Sequence, residues 1–378
     1  MKQSNESVQS KQSISAKQSA GSGKNHYDTT LLVVIWILVA VGLVLMYSTS
    51  SYNGLTKFHD RFYYLKKQAF ATVLGIVLML FVAGMDYHIW QRLAVFGYLA
   101  AVALSVAVML FGREINGSKR WLALGPFSFQ PSEFAKVALI LFLADLVTKN
   151  VKTIGKMWTL CRIMFWILPI VGLVGASNLS TAIIILGIGV ILIFVASPKY
   201  AQFALMGIAG ACFMGIFLAL ESYRLERLAI WRNPEKYEKG YQTLQGLYAI
   251  GSGGVFGVGI GNSVQKLGFV PEAQNDMIFS IICEELGLAG AGIIVFLFLL
   301  LIWRFFLIAS GSRDLFGALI ATGAMAHMMI QVILNIAVVT NTIPNTGITL
   351  PFISYGGTSV MFLLIEMGLV LSVSQVVD

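Results

Sequence analysis

Polar and apolar residues fall along this chain in long blocks rather than at the short periods of soluble helices and strands. Apolar runs of about 20 residues recur, the length that crosses a bilayer core of about 30 Å. Ten membrane helices are predicted, over Thr30–Ser48, Gln68–Met85, Leu93–Phe111, Ser132–Val147, Trp158–Ala176, Leu179–Ala196, Tyr200–Leu220, Leu286–Ile308, Leu315–Val339 and Gly357–Val373. The fifth and sixth are separated only by Ser177 and Asn178 and form a tight hairpin. Residues 1–26 are rich in Ser, Gln and Lys with few bulky apolar side chains, so they are expected to be a disordered tail rather than a signal peptide. Residues 27–378 then form one transmembrane domain, and the fold class is an all-α polytopic membrane protein.

Three polar segments interrupt the apolar blocks: REINGSKRWLALGPFSFQPSE, the long loop Glu221–Gln274, and TNTIPNTGITLPFISYGGTS. By the helix count all three open on one face, with both termini on the other. Counted over short loops, twelve basic residues lie on the side of the termini and eight on the loop side, which places the termini in the cytoplasm. Basic residues left on the outer side call for an anionic partner.

Composition supports this picture. Hydrophobic residues make up 57% of the 378 and charged residues 12%, about half the charge of a soluble domain. The net charge of +8 fits anionic head groups or a phosphate-bearing substrate. No basic-aromatic module points to nucleic acid. Cys161, Cys212 and Cys283 fit neither a metal site nor a disulfide framework, and the four histidines form no HxxxH pair.

Chemistry-bearing residues cluster at the polar segments. In FQPSEFAK, Pro131 suits the first turn of a helix, Glu133 is favoured there by the dipole, and Lys136 lies close enough to touch it. An ion pair at the helix start and a functional membrane-edge site are both open readings. Lys119, Arg120 and Trp121, after the Asn116–Gly117 turn, form a cationic amphipathic patch, either an interfacial anchor or a diphosphate clamp. The glycine-dense stretch from Gly240 to Phe269 matches neither GxGxxG, since Phe256 breaks that spacing, nor a P-loop. It still concentrates polar donors: Gln242, Gln245, Asn262, Ser263, Gln265 and Lys266.

PEAQNDMIFSIICEELG carries four acids. With a helix starting near Asn275, Asp276 sits at its first turn, Glu284 lies about 12 Å further along the axis, and Glu285 is roughly opposite, so no two form a local dyad. Glu284 and Glu285 are read as structural. Glu366 and His327 fall near mid-membrane, about 15 and 18 Å inside their helices. His327, Gln331 and Asn335 form an i, i+4, i+8 stripe, and Glu366 is expected to be neutral or bonded to it.

These blocks resemble the SEDS family, the FtsW, RodA and SpoVE proteins of bacteria, over nearly all of residues 28–378, and the FtsW/SpoVE branch most. The resemblance rests on NGSKRWLALGPFSFQPSEFAK, the stretch from GYQTLQG to EELG, and PNTGITLPFISYGGTS. It implies a ten-helix peptidoglycan glycosyltransferase that polymerises lipid II at the outer membrane face. Implied partners are a class B penicillin-binding transpeptidase and other divisome proteins. The family's essential aspartate falls on Asp276, its QPSExxK pair on Glu133 and Lys136, and its basic residue after the seventh helix on Arg227 or a close neighbour. Lys119, Arg120, Gln245, Lys266 and Ser354 complete the expected substrate-binding set. The chain departs from the family at Asn275-Asp276-Met277, where Thr-Asp-Phe is common, and at Asn178, which stands where an acid is often found and so is no catalytic candidate.

The implied chemistry is consistent. An inverting transfer from a sugar diphosphate needs one carboxylate to take the proton of the attacking hydroxyl. The leaving group needs cations, supplied by Lys119, Arg120, Lys136, Arg227 and Lys266 or by a divalent metal, Mg or Mn. A flippase for the same lipid and a non-catalytic scaffold for a transpeptidase are the alternatives. The nearly all-apolar fifth and sixth helices disfavour the first, and Asp276 with its basic surroundings disfavours the second.

Overall fold

A computed structural model describes residues 27–115, 118–124, 127–204, 207 and 229–377. Ten α-helices lie among them: α1 Thr29–Phe58, α2 Tyr63–Ala83, α3 His88–Phe111, α4 Pro131–Asn150, α5 Met157–Ser177, α6 Leu179–Ala196, α7 Tyr241–Ser252, α8 Ile278–Gly311, α9 Leu315–Val339 and α10 Gly357–Ser374. Eight are long and apolar enough to cross a membrane, all but α4 and α7. The expected tail and most of the expected Tyr200–Leu220 helix lie outside the described residues, although 200–204 are helical.

α4 is the central post. It contacts α3, α5, α6, α9 and α10, and nearly every side chain from Ala135 to Ala144 is buried. A helix buried on all sides is stable only when other helices surround it. Pro131 occupies its first turn, where a missing N–H costs nothing.

α1 and α8 outrun the apolar runs that predict them by the most, for one physical reason. α1 continues ten residues past Ser48 because the polar side chains there are buried with partners: Thr49 Oγ1 donates to the Leu45 carbonyl (2.8 Å) and Asn53 Nδ2 to Gln274 Oε1 (2.8 Å). α8 starts at Ile278 rather than Leu286 because Glu284 and Glu285 are buried inside it and hydrogen-bonded. A satisfied polar group interrupts hydropathy without interrupting a helix. Within α8, Gly287 is non-helical (φ 66°, ψ −170°) and breaks the helix.

α10 packs along α2 at close range. A Cβ on Gly368 would lie 2.6 Å from the Met79 carbonyl oxygen, a backbone atom that cannot swing away. Small residues at such crossings let two membrane helices approach. Gly368→Val is expected to lower the melting temperature in detergent, the overpacking costing about 1–3 kcal/mol.

The polar segments hold unpredicted structure. Three strands pair antiparallel in the order β1-β2-β3: β1 Arg113–Ile115, β2 Ser118–Leu124 and β3 Phe127–Phe129. α7 lies in the long loop and packs on α8. The segments share one end of the bundle and are tied together there. Thr358 Oγ1 on α10 donates to the Ser128 carbonyl (2.8 Å), and Ser180 Oγ on α6 to the Thr346 carbonyl (2.6 Å). The Tyr355 amide donates to the Gln274 carbonyl (2.9 Å).

Candidate active site

Asp276 stands two residues before α8, at the positive end of that helix. Four elements hold it. Asn335 of α9, fully buried, spends both amide hydrogens on backbone carbonyls, those of Asp276 (2.9 Å) and Ile348 (2.7 Å). Gln242 of α7 donates to Asp276 Oδ1 (3.4 Å). Gly347, at φ +69°, brings the 343–356 segment against the carboxylate, so that a Cβ there would stand 3.8 Å from Oδ2. The side chain is half-buried yet crowded by protein. Desolvation raises its carboxyl to about 6, helped by the charge of Glu272 and opposed by bonds from Gln242 and backbone N–H groups. An acid so placed is poised to gain and lose a proton near neutral pH.

Asn335→Leu would strand two buried carbonyls, at about 1–3 kcal/mol. It is expected to lower both the melting temperature and polymerisation, measured on one purified sample.

Below Asn335 the α9 stripe continues as a buried polar file. Gln331 Nε2 donates to the Thr349 carbonyl (3.0 Å), which turns its Oε1 toward two donors. Those are Lys136 Nζ (3.3 Å) and His327 Nε2 (2.8 Å). Lys136 also meets Glu133 Oε2 (3.1 Å), and His327 Nδ1 meets Glu366 Oε2 (2.8 Å). The expected contacts between Glu133 and Lys136, and between Glu366 and the stripe, are both present. All five side chains of the file are buried.

Lys266 has a different place from the one expected of a diphosphate clamp. It is buried, its Nζ 2.6 Å from Glu285 Oε1 and 3.1 Å from Ser48 Oγ, so its charge is already neutralised inside the protein. Neighbouring Glu284 accepts from Ser263 Oγ and from the amides of Val264 (2.9 Å) and Gln265 (3.4 Å), and so anchors the loop. The two glutamates face different partners, as helical geometry requires.

The other expected residues are dispersed. Lys119 is exposed on β2, and Arg120 beside it turns inward to donate from Nε to the Ser177 carbonyl (3.1 Å). Gln245 is half-buried on α7. Ser354 Oγ accepts from the Leu350 amide (2.8 Å), a turn-forming bond in a buried position. Arg227 and the Asn116–Gly117 turn lie outside the described residues. Asn178 caps α6, its side chain accepting from the Thr181 amide (3.2 Å). Among the described residues no three His, Cys, Asp or Glu side chains group as a metal site. Sequence reasoning missed Gln68 and Gln274, both buried clasps. Gln68 Oε1 accepts from the Gly356 amide (3.1 Å) and Gln274 bridges Asn53 to Glu272. The only signal was an amide side chain at the margin of an apolar run.

The family model described as cell cycle protein, covering FtsW, RodA and SpoVE, matches residues 29–378. Stage V sporulation protein E of Bacillus subtilis is 38% identical over 365 residues, spanning 93% of this chain and 98% of that protein. A probable peptidoglycan glycosyltransferase FtsW of Trichlorobacter lovleyi is 34% identical, spanning 92% and 93%. Among solved structures, one chain of a peptidoglycan synthase complex that coordinates polymerization and crosslinking superposes with a TM-score of 0.79 at 29% identity, covering 92% of this chain and 97% of that one. The rod shape determining protein RodA of Thermus thermophilus superposes with a TM-score of 0.69 at 28% identity, covering 92% and 96%. The chain belongs to the FtsW/RodA/SpoVE family.

Proposed function

We propose that this protein is a peptidoglycan glycosyltransferase that polymerises lipid II at the outer face of the cytoplasmic membrane, with Asp276 as the general base. The observation that carries the reading is the placement of Asp276: a desolvated carboxylate titrating near 6, held by α7, α9 and the 343–356 segment at the end of the bundle where the polar segments gather. Membership of a family whose curated relatives include probable peptidoglycan glycosyltransferases supports it.

In this reading the acceptor sugar's hydroxyl attacks the anomeric carbon of the donor. The bond to the diphosphate breaks, the configuration inverts, and Asp276 takes the hydroxyl proton. Lys119, exposed on β2, is a described cation proposed to face the departing diphosphate; Arg227 is a further candidate. Asp276, next in sequence to the buried, unpartnered Oδ1 of Asn275, is the residue that would hold a divalent ion, Mg or Mn. Such an ion would neutralise leaving-group charge.

Ion pairs and hydrogen bonds link the buried file from Glu133 to Glu366, leaving Glu366 Oε1 without a partner, and this linkage favours an enzyme over a passage for a sugar diphosphate. A class B penicillin-binding transpeptidase is the proposed partner, in keeping with the peptidoglycan synthase complex to which the chain is similar. Septal placement with both termini cytoplasmic completes the reading. Purified protein, alone and with its transpeptidase, given labelled lipid II should yield glycan chains. Transfer of lipid II between leaflets without polymer would replace this reading with the flippase.

A further inference from the structure

We infer that residues 253–269 form a re-entrant anchor, a loop seated in the acyl margin of the leaflet on the Asp276 side, with bilayer lipid as its partner. Depth comes from two helices counted from one ion pair. Asp28, the N-cap of α1, pairs with Arg304 of α8 and marks one polar boundary. Ser48 lies twenty residues along α1 and Glu285 nineteen back along α8, each about 30 Å away at 1.5 Å per residue. That is the thickness of the hydrocarbon core, so the buried Ser48–Glu285–Lys266 cluster lies at its opposite edge.

The loop docks at that level and just inside it. The break at Gly287 opens the helix ladder, and the loop backbone fills it. The amides of Val258 and Gly259 donate to the carbonyls of Glu284 and Glu285 (2.9 Å each), while the amides of Leu288 and Ala289 donate to the carbonyls of Gly254 and Val255 (2.9 and 3.0 Å). Only glycine fits this contact: a Cβ on Gly257 would lie 2.2 Å from the Glu285 carbonyl oxygen. The amides of residues 264–266 are taken by Glu284 and Ser263, and those of Asn262, Leu267 and Val270 by loop carbonyls. Irregular backbone is tolerated at membrane depth where protein satisfies its polar groups, and these bonds do so for the amides named.

The side chains complete the case. Lys266, the one charged residue of the segment, points inward, and Asn262 turns its amide onto the Val258 carbonyl (3.2 Å). What faces outward is apolar: Phe256 is 84% exposed, with Val255, Ile260 and Phe269 also exposed. Leu288 and Ile293 continue the same character on α8. An exposed set this apolar and free of charge, at this depth, suits acyl chains rather than water. Because the segment leads directly into Asp276, its seat would set the height of that carboxylate above the bilayer.

Spin-label accessibility tests this without any turnover, so it stands or falls apart from the proposed chemistry. In a background with Cys161, Cys212 and Cys283 replaced by Ser, the full chain in lipid nanodiscs carries a nitroxide at Phe256→Cys or, separately, Ile260→Cys. Power saturation with oxygen and with a water-soluble nickel chelate is compared with Ile293→Cys on α8 and Lys236→Cys in the polar loop. The expected oxygen-to-chelate ratio matches Ile293→Cys and exceeds Lys236→Cys. A ratio like that of Lys236→Cys overturns the inference, and so does exclusion of both reagents, which would mean protein covers the loop.

Discussion

Purified protein carrying Asp276→Asn is expected to polymerise lipid II at least about a hundredfold more slowly than the parent chain, and to melt at a higher temperature at pH 8. The first effect is the loss of a general base, which contributes about 10²–10⁴-fold. The second follows from linkage. The Asp276 carboxyl titrates at about 6 in the folded chain and at its ordinary value of 3.8 when unfolded. Between these values the folded chain holds a proton that the unfolded chain has released, so stability falls as pH rises through the window and the loss is complete above about 6. Asparagine has no such charge to bury. The stabilisation of the variant over the parent should therefore shrink as pH falls from 8 to 4. Polymerisation by the parent should rise with pH through about 6 and then level off. An Asp276→Asn protein that retained parental polymerisation would exclude the assignment, whatever its melting temperature.

The next largest effect is expected at the Lys266–Glu285 pair. Lys266→Met leaves Glu285 charged, buried and unpaired, at about 3–5 kcal/mol, and thermal melts in detergent should show it. Lys266→Met with Glu285→Leu removes both charges and should recover most of that stability. A lysine that acted chiefly on diphosphate would give the reverse pattern: polymerisation lost, melting unchanged, and no recovery in the double variant. The comparison therefore separates a residue that supports the loop beneath Asp276 from one that touches substrate.

Local relations in this chain were legible before folding was considered. Glu133 and Lys136 lie three apart after a helix-starting proline, and they meet. His327, Gln331 and Asn335 lie on one face of α9, and all three are used. Even the Glu366–His327 contact could be anticipated, because an ionisable group at mid-membrane needs a partner at its own depth and few exist. Relations across the long loop were not legible. Lys266 and Arg120 read as members of one cationic set, yet the first is matched to Glu285 and the second to the Ser177 carbonyl.

The sequence by itself determined that the chain is a bundle of membrane helices, that its polar segments open at one end, and which acid begins α8. Those are consequences of hydropathy, helix length and spacing, each a property of neighbouring residues. Tertiary structure alone decided which charges are already spent within the protein, where α1 and α8 end, and how the glycine loop meets the break at Gly287. Each rests on partners far apart in the chain, such as Ser48 with Glu285 and Asn53 with Gln274. A buried polar group reveals its role only through the partner that satisfies it, and that partner is chosen by packing.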